Sequence, residues 1–359
     1  MNFNWKKIVL TLGLGAFVAT GPLCVTVAEA ASPQSVKTTK KKVVKKQVKK
    51  THRKASASKA KYATKKKVAK RYSKKRKARR VVRRSAPSQA TLAGLRQTPD
   101  LLNLGSSVAL AVDQDTGEEL FSKNADIELP IASVTKLMTA LVIAESDLSM
   151  NEKIKISRAD YVRSTARSKL RKGMVMTRGA VLKAALMSSD NRAATALART
   201  YPGGRKAFVQ QMNETAKRLG MNDSAFADPS GLDNRNHSTA RDLAKLVTEA
   251  HKHEVIRESS TLPMTHVKAG RYQLRLTTTN RLIGNPDWQI GVQKTGFTTA
   301  AGRCMVVQSE FADRRVVMVL LDSPNSAQRA KDMQTMRRFV ESEERINEQF
   351  SEVRPFEMF

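Results

Sequence analysis

Cysteine is nearly absent from this chain of 359 residues, which holds only Cys24 and Cys304. Cys24 lies in a segment expected to be removed, so the remaining protein cannot form an intramolecular disulfide. Its fold must rest on a packed core, for which about 250 residues are ample. Histidine is also scarce, at five residues, and no Gly-x-Ser-x-Gly elbow accompanies it, which argues against a Ser-His-Asp hydrolase. His251-x-His253 finds no third ligand in the sequence, so no metal and no other cofactor is expected. Long apolar runs are missing too. The stretch from Ile8 to Val18 is broken by Gly13 and Gly15 and followed by Gly21 and Pro22, well short of the ~20 apolar residues that a membrane-spanning helix needs. Finally, acidic residues are absent from one long stretch. Residues 31–90 contain 25 Lys and Arg and no Asp or Glu, while the net charge from residue 91 onward is only +7. The formal charge of +33 therefore belongs to a segment and does not describe the body of the protein.

The residues that are present divide the chain. Lys6 and Lys7, an apolar run, and Ala28-Glu29-Ala30 before Ala31 have the three-part build of a secretory signal. Residues 1–30 are expected to be cleaved after Ala30, with an uncleaved membrane anchor as the alternative, and the protein to be exported to the periplasm or cell envelope without a stable transmembrane anchor. From Lys37 to Arg84 the sequence is Lys, Arg, Ala, Val, Ser and Thr with almost no large apolar residues. Such a segment buries too little surface to offset its ordering entropy and is expected to be disordered. In an exported protein its partners are anionic cell-envelope polymers, and no nucleic acid is expected, since Tyr62 and Tyr72 are too sparse for a base-stacking platform. A plain solvated tether is the alternative. The organisation is thus residues 1–30 as signal, 31–96 as basic low-complexity segment and linker, 97–345 as one folded domain, and 346–359 as a tail.

Within the folded domain the apolar pattern changes from strand to helix and back. Val108-Ala109-Leu110-Ala111-Val112, a turn from Asp113 to Gly117, and Glu119 to Ser122 read as a β-hairpin, with packed structure starting near Leu101–Leu104. Leu137, Ala140, Leu141 and Ala144 repeat at helical spacing. Further helices are expected from about Ala180 to Met187, Arg192 to Tyr201, Arg205 to Leu219, and from Thr239-Ala240-Arg241-Asp242, a helix-start pattern, to about His251. The last third returns to strands at Gln289–Phe297, Arg303–Gln308 and Arg315–Leu321, closed by an amphipathic helix from Ser326 to about Glu344. This predicts an α/β (α+β) fold in which the N-terminal hairpin and the C-terminal meander share one antiparallel sheet. Helices would cover both faces, with a helical middle region beside the sheet.

Three short motifs fall on this frame in order. Ser133-x-x-Lys136 lies at a helix start, where residues three apart share a face at roughly 5–6 Å. A neutral lysine there can serve as base for a serine nucleophile. The same spacing at Ser56 and Ser58, inside the lysine-rich run, carries no meaning. Ser189-Asp190-Asn191 is, of four Ser-x-Asn sequences, the one between two helices of the middle region. Lys294-Thr295-Gly296 is the only Lys-Thr-Gly in the chain and lies on the first strand of the meander.

Together these motifs resemble the signature of the penicillin-binding proteins and serine β-lactamases. Over about residues 100–345 the chain is similar to the low-molecular-mass D-alanyl-D-alanine peptidases. The stretches Pro130-Ile131-Ala132-Ser133, Ala185-Leu186-Met187-Ser188-Ser189, Tyr201-Pro202-Gly203-Gly204 and Gln293-Lys294-Thr295-Gly296-Phe297-Thr298 look most like its periplasmic endopeptidases. The resemblance implies a serine β-lactamase/DD-peptidase-like fold and a penicillin-sensitive serine endopeptidase that hydrolyses D-alanine-containing crosslinks of peptidoglycan through an acyl-enzyme. It also implies that peptidoglycan stem peptides and β-lactams bind. In that reading Ser133 is the nucleophile and Lys136 its base, deprotonated by burial and by the positive charge of Lys294. Ser189 and Lys294 relay the proton, Asn191 holds a substrate amide, and Thr295, Gly296, Phe297 and Thr298 bind substrate. The backbone N–H groups of Ser133 and Phe297 form the oxyanion hole. D-alanyl-D-alanine carboxypeptidase is the main alternative. A β-lactamase or a non-catalytic wall-binding protein fits less well, since no Glu-x-x-x-Asn loop lies between Asn191 and Lys294 and the three motifs are intact.

Overall fold

The computed structural model describes residues 86–311 and 313–352, with side chains described to residue 342. The expected signal, the basic segment up to residue 85 and the end of the expected tail lie outside the described residues.

Packed structure reaches back to Ser88, ahead of the leucines at 101–104. Ser88 accepts from Thr91 N to cap α1 (Gln89–Leu92). Ala90 is buried, and Gln89 N donates to Ala300 O. β1 (Val108–Asp113) then turns through Asp113, whose Oδ1 accepts from Asp115 N and Thr116 N, into β2 (Glu119–Lys123). The two-residue β3 (Leu129–Pro130) leads through a 3₁₀ turn, Ala132–Val134, into α2 (Thr135–Ala144). Every residue of α2 except Ala144 is buried, the polar Thr135, Lys136 and Thr139 among them.

The middle of the chain is helical. The hairpin β4 (Lys153–Lys155) and β5 (Val175–Thr177) precedes α3 (Arg178–Met187), capped by Thr177 Oγ1, and α4 (Asn191–Arg199), capped by Asp190. α5 (Gly204–Arg218) follows, then β6 (His237–Ser238), which pairs with β3. Thr239 caps α6 (Ala240–Lys252) by accepting from Asp242 N, as its sequence pattern predicts. The short α7 (Glu254–Thr261) and the hairpin β7 (Met264–Ala269) and β8 (Tyr272–Thr277) come next. These three elements are additions to the sequence-based reading.

The chain closes with β9 (Gln289–Thr298), β10 (Gly302–Phe311), β11 (Arg314–Ser323) and α8 (Ser326–Glu352). The main sheet is antiparallel in the order β2-β1-β11-β10-β9. The last strand thus sits beside the first, with Val108 opposite Leu321 and Val112 opposite Val317, and joins hairpin and meander as predicted. Because side chains alternate along a strand, the sheet divides its apolar residues between two cores. Val108, Leu110, Val306, Val317, Val319 and Leu321 pack against the helical region. Ala109, Ala111, Met305, Val307, Met318 and Leu320 pack with Met333, Met336 and Val340 of α8. β9 is left as an edge strand, and at Gly296 one of its faces meets the turn that carries Ser133. Among the described residues no helix is long and apolar enough to cross a membrane.

Candidate functional site

Ser133 stands in the 3₁₀ turn that starts α2, one turn before Lys136. The turn is tightly specified. Ala132 has φ of +48°, a left-handed conformation that costs a non-glycine residue on the order of 1–3 kcal/mol. Two glycines pack closely against it. A Cβ on Gly231, whose φ is +79°, would lie 1.8 Å from Ala132 O. One on Gly296 of β9 would lie 2.9 Å from Ile131 O and 3.1 Å from Ser133 N.

Lys136 is fully buried and has three acceptors around Nζ: Ser133 Oγ at 2.8 Å, Asn191 Oδ1 at 2.7 Å and Ser230 O at 2.6 Å. Burial pulls this amine from 10.5 down to about 7, while the negative charges of Asp228 and Asp190 hold it up. With the amine neutral, the 2.8 Å contact can run the other way, the Ser133 hydroxyl donating to the Nζ lone pair. Of the two causes expected from the sequence, burial is the one that lowers Lys136, while the positive charge of Lys136 bears on Lys294. Lys294 is likewise fully buried and held far below the usual lysine range, by burial first and then by Lys136 and Arg329.

Lys294 Nζ donates to Ser189 Oγ at 2.9 Å and to Thr295 O at 2.7 Å. Ser189, with φ of +53°, and Asn191 are two residues apart at the head of α4, so this loop holds the Ser133–Lys136 pair beside the Ser189–Lys294 pair. Asp190 between them caps α4 through Arg192 N and Ala193 N and accepts from Ser168 Oγ at 2.9 and 2.7 Å. Asn191 Nδ2 donates to Ser164 Oγ at 3.0 Å, which orients its Oδ1 toward Lys136 and leaves one N–H for a ligand.

The predicted binding residues separate. Thr295 Oγ1 is buried and lies 2.6 Å from Thr279 Oγ1. Gly296 makes room for the Ser133 turn. Phe297 is exposed with the Arg303 guanidinium 4.5 Å above its ring, so its side chain faces solvent. Thr298 Oγ1 accepts from Ala301 N at 3.1 Å and shapes the turn into β10.

Ser230, Asp228, Ser164 and Thr279 are missed by sequence reasoning. Only Asp228-Pro229-Ser230-Gly231 left a signal, as turn chemistry, and nothing in it points to Lys136. The histidines diverge: His251 Nδ1 lies 3.1 Å from Gln114 Nε2, while His253 stands near Glu145 and Glu249. Those carboxylates are held by Arg218 and Lys252. A cavity of about 630 Å³ between β4–β5, α3, α7 and β7 contains none of the motif residues. A cavity of about 410 Å³, lined by Thr195, Arg205, Asp228, Ser230 and Asp233, does adjoin the cluster. The arrangement is that of a serine poised for acyl transfer: a hydroxyl on a buried amine that gives up its proton near pH 7, with a second amine–hydroxyl pair beside it.

Comparison with known proteins agrees with this chemistry. The D-alanyl-D-alanine carboxypeptidase family matches residues 95–325. A D-alanyl-D-alanine endopeptidase of Pseudomonas aeruginosa is 41% identical over 243 residues, covering 67% of this chain and 78% of that protein. One of Escherichia coli is 37% identical over 261 residues, covering 72% and 84%. Among solved structures, penicillin-binding protein D2 from Listeria monocytogenes in its ampicillin-bound form aligns with a TM-score of 0.60 at 31% identity, covering 67% of this chain and 99% of that one. The Streptomyces K15 DD-transpeptidase aligns with a TM-score of 0.61 at 26% identity, covering 66% and 97%.

Proposed function

This chain belongs to the D-alanyl-D-alanine carboxypeptidase family, and from that premise we propose that it is a serine D-alanyl-D-alanine endopeptidase that opens peptide crosslinks of peptidoglycan. The observation that carries the reading is the fully buried Lys136 Nζ, 2.8 Å from Ser133 Oγ and lowered to about 7. Near neutral pH a large share of this amine can accept a proton, as a general base must.

Ser133 Oγ attacks the carbonyl of a D-alanine-type residue and gives its proton to Lys136 Nζ. Negative charge builds on the carbonyl oxygen, where the backbone N–H groups of Ser133 and Phe297 receive it. Removing one such donor typically costs on the order of 10²–10³ in rate. The C–N bond breaks as Ser189 and Lys294 relay a proton to the leaving amine, and water then hydrolyses the Ser133 ester. Asn191 holds a substrate amide with its remaining N–H. Thr295, with Thr279 beside it, receives the carboxylate or its counterpart at a crosslink. The free edge of β9 offers backbone groups to an extended peptide. The protein acts in the periplasm, where its basic segment meets anionic cell-envelope polymers.

The endopeptidase reading is favoured over carboxypeptidase because the relatives at 41% and 37% identity are endopeptidases, whereas a Bacillus subtilis carboxypeptidase is 30% identical. Digestion of purified crosslinked muropeptides tests it: conversion of dimers to monomers is expected, and loss of terminal D-alanine alone would assign a carboxypeptidase. Fluorescent penicillin should label the protein and release slowly, and Ser133→Ala should abolish labelling. Rapid turnover of penicillin would point to a β-lactamase.

A further inference from the structure

The turn from Asp228 to Asp233 is organised by one carboxylate. Asp228 Oδ1 accepts from Ser230 N, from Ser230 Oγ at 2.9 Å and from Gly231 N at 2.7 Å, and Oδ2 accepts from Asp233 N at 2.6 Å. Asn236 fixes the entry, its Oδ1 accepting from Asp228 N at 3.1 Å and its Nδ2 donating to Asp228 O at 3.3 Å. The turn is fastened to α2 at two points three residues apart: Thr139 Oγ1 donates to Pro229 O at 2.6 Å, and Lys136 Nζ donates to Ser230 O at 2.6 Å. Ser133 Oγ lies 3.5 Å from the same Ser230 oxygen.

We propose that Asp228 is a positioning residue for acylation: its carboxylate shapes the turn that presents Ser230 O to Lys136 Nζ and supplies negative charge beside that amine. The proposal rests on the reading of Lys136 as the base of Ser133. The charged groups facing Lys136 are Asp228 on this turn, Asp190 at the head of α4 and Lys294 on β9, which lies against Ser189. A carboxylate favours the protonated amine, so Asp228 opposes the effect of burial. Without its charge, Lys136 would lose its proton at lower pH. A carbonyl anchored on both sides also keeps Nζ from swinging away from Ser133.

The test is the second-order rate constant for acylation by fluorescent penicillin, measured from about pH 5 to pH 9 for the full chain and three variants. Asp228→Asn keeps an acceptor for the turn but removes the charge. It should move the acid limb down by at least about half a pH unit, with the plateau within about tenfold of the parent. Asp228→Ala should move the limb the same way and lower the plateau more than about tenfold, and Asp228→Glu should return the limb toward the parent. Labelling reads only folded protein, so a partly unfolded variant still reports its limb. An unmoved limb in Asp228→Asn, or one moved to higher pH, would overturn the proposal whatever the plateau, since a purely structural carboxylate changes the plateau alone. Labelling that survives Ser133→Ala would instead sink the underlying assignment of the nucleophile, a different and separately visible result.

Discussion

Lys136 is where chemistry and stability pull in opposite directions. In the proposed mechanism its neutral form is the base, so acylation by penicillin should rise with pH through an acid limb near pH 7, as burial brings the amine to about 7. In the unfolded chain the same lysine binds its proton up to about pH 10.4. Between these values the unfolded state holds more protons, so the contribution of Lys136 to stability improves as pH rises across the window. Lys136→Met should therefore lower acylation by more than about 10³-fold and, by removing a charge-prone group from the interior, raise the thermal midpoint at pH 7. A lower midpoint would show that the amine's three hydrogen bonds outweigh its burial. The cluster of proposed catalytic side chains was legible because each motif is local: a hydroxyl and an amine one helical turn apart, or a loop between helices. Ser230 was not, because its contribution is a backbone carbonyl brought to Lys136 across 94 residues, and any amino acid at that position carries one.

The loop before α4 shows how one residue serves both helix and site. Asp190 caps α4 and takes the Ser168 hydroxyl, while its neighbours Ser189 and Asn191 touch Lys294 and Lys136. Asp190→Ala should destabilise the protein by about 1–2 kcal/mol, read by urea denaturation, and weaken acylation by letting the loop drift. Helices with a cap and a clear apolar stripe, such as α6 behind Thr239, were visible in the sequence. α7 was not: Glu254–Thr261 is mostly polar and buries chiefly Ile256, Ser259 and Ser260, so its hydrophobic signal is the adjacent pair Val255 and Ile256, which shows no helical spacing. The β7–β8 hairpin alternates weakly because much of it faces solvent. Tertiary neighbours, which a local pattern does not carry, decide such elements.

At the scale of the whole molecule, the apolar runs in β1 and β11 were easy to read because both faces of these strands are covered. Leu320 packs in the core on the α8 side, away from the motif residues. Leu320→Ala should cost about 2–5 kcal/mol, seen as a lower denaturation midpoint, while the acylation rate of the folded enzyme stays within about twofold. Removal of residues 37–84 should likewise leave acylation unchanged but weaken binding to isolated cell wall at low salt, an effect that screening erases as salt rises. Equal binding with and without the segment would make it a tether.

The grip of Gly231 and Gly296 on the Ser133 turn reaches into how the protein is made. The proposed nucleophile and base are synthesised early, yet the turn that aims them packs against a residue almost a hundred positions later and against β9. β9 joins the main sheet by pairing with β10, which pairs with β11, and the final strand must slot between strands made first and strands made just before it. A chain still emerging from the ribosome, or cut short before residue 296, carries Ser133 and Lys136 without a working site. Such a chain should not be acylated by penicillin, so activity is expected only once β9, β10 and β11 are in place.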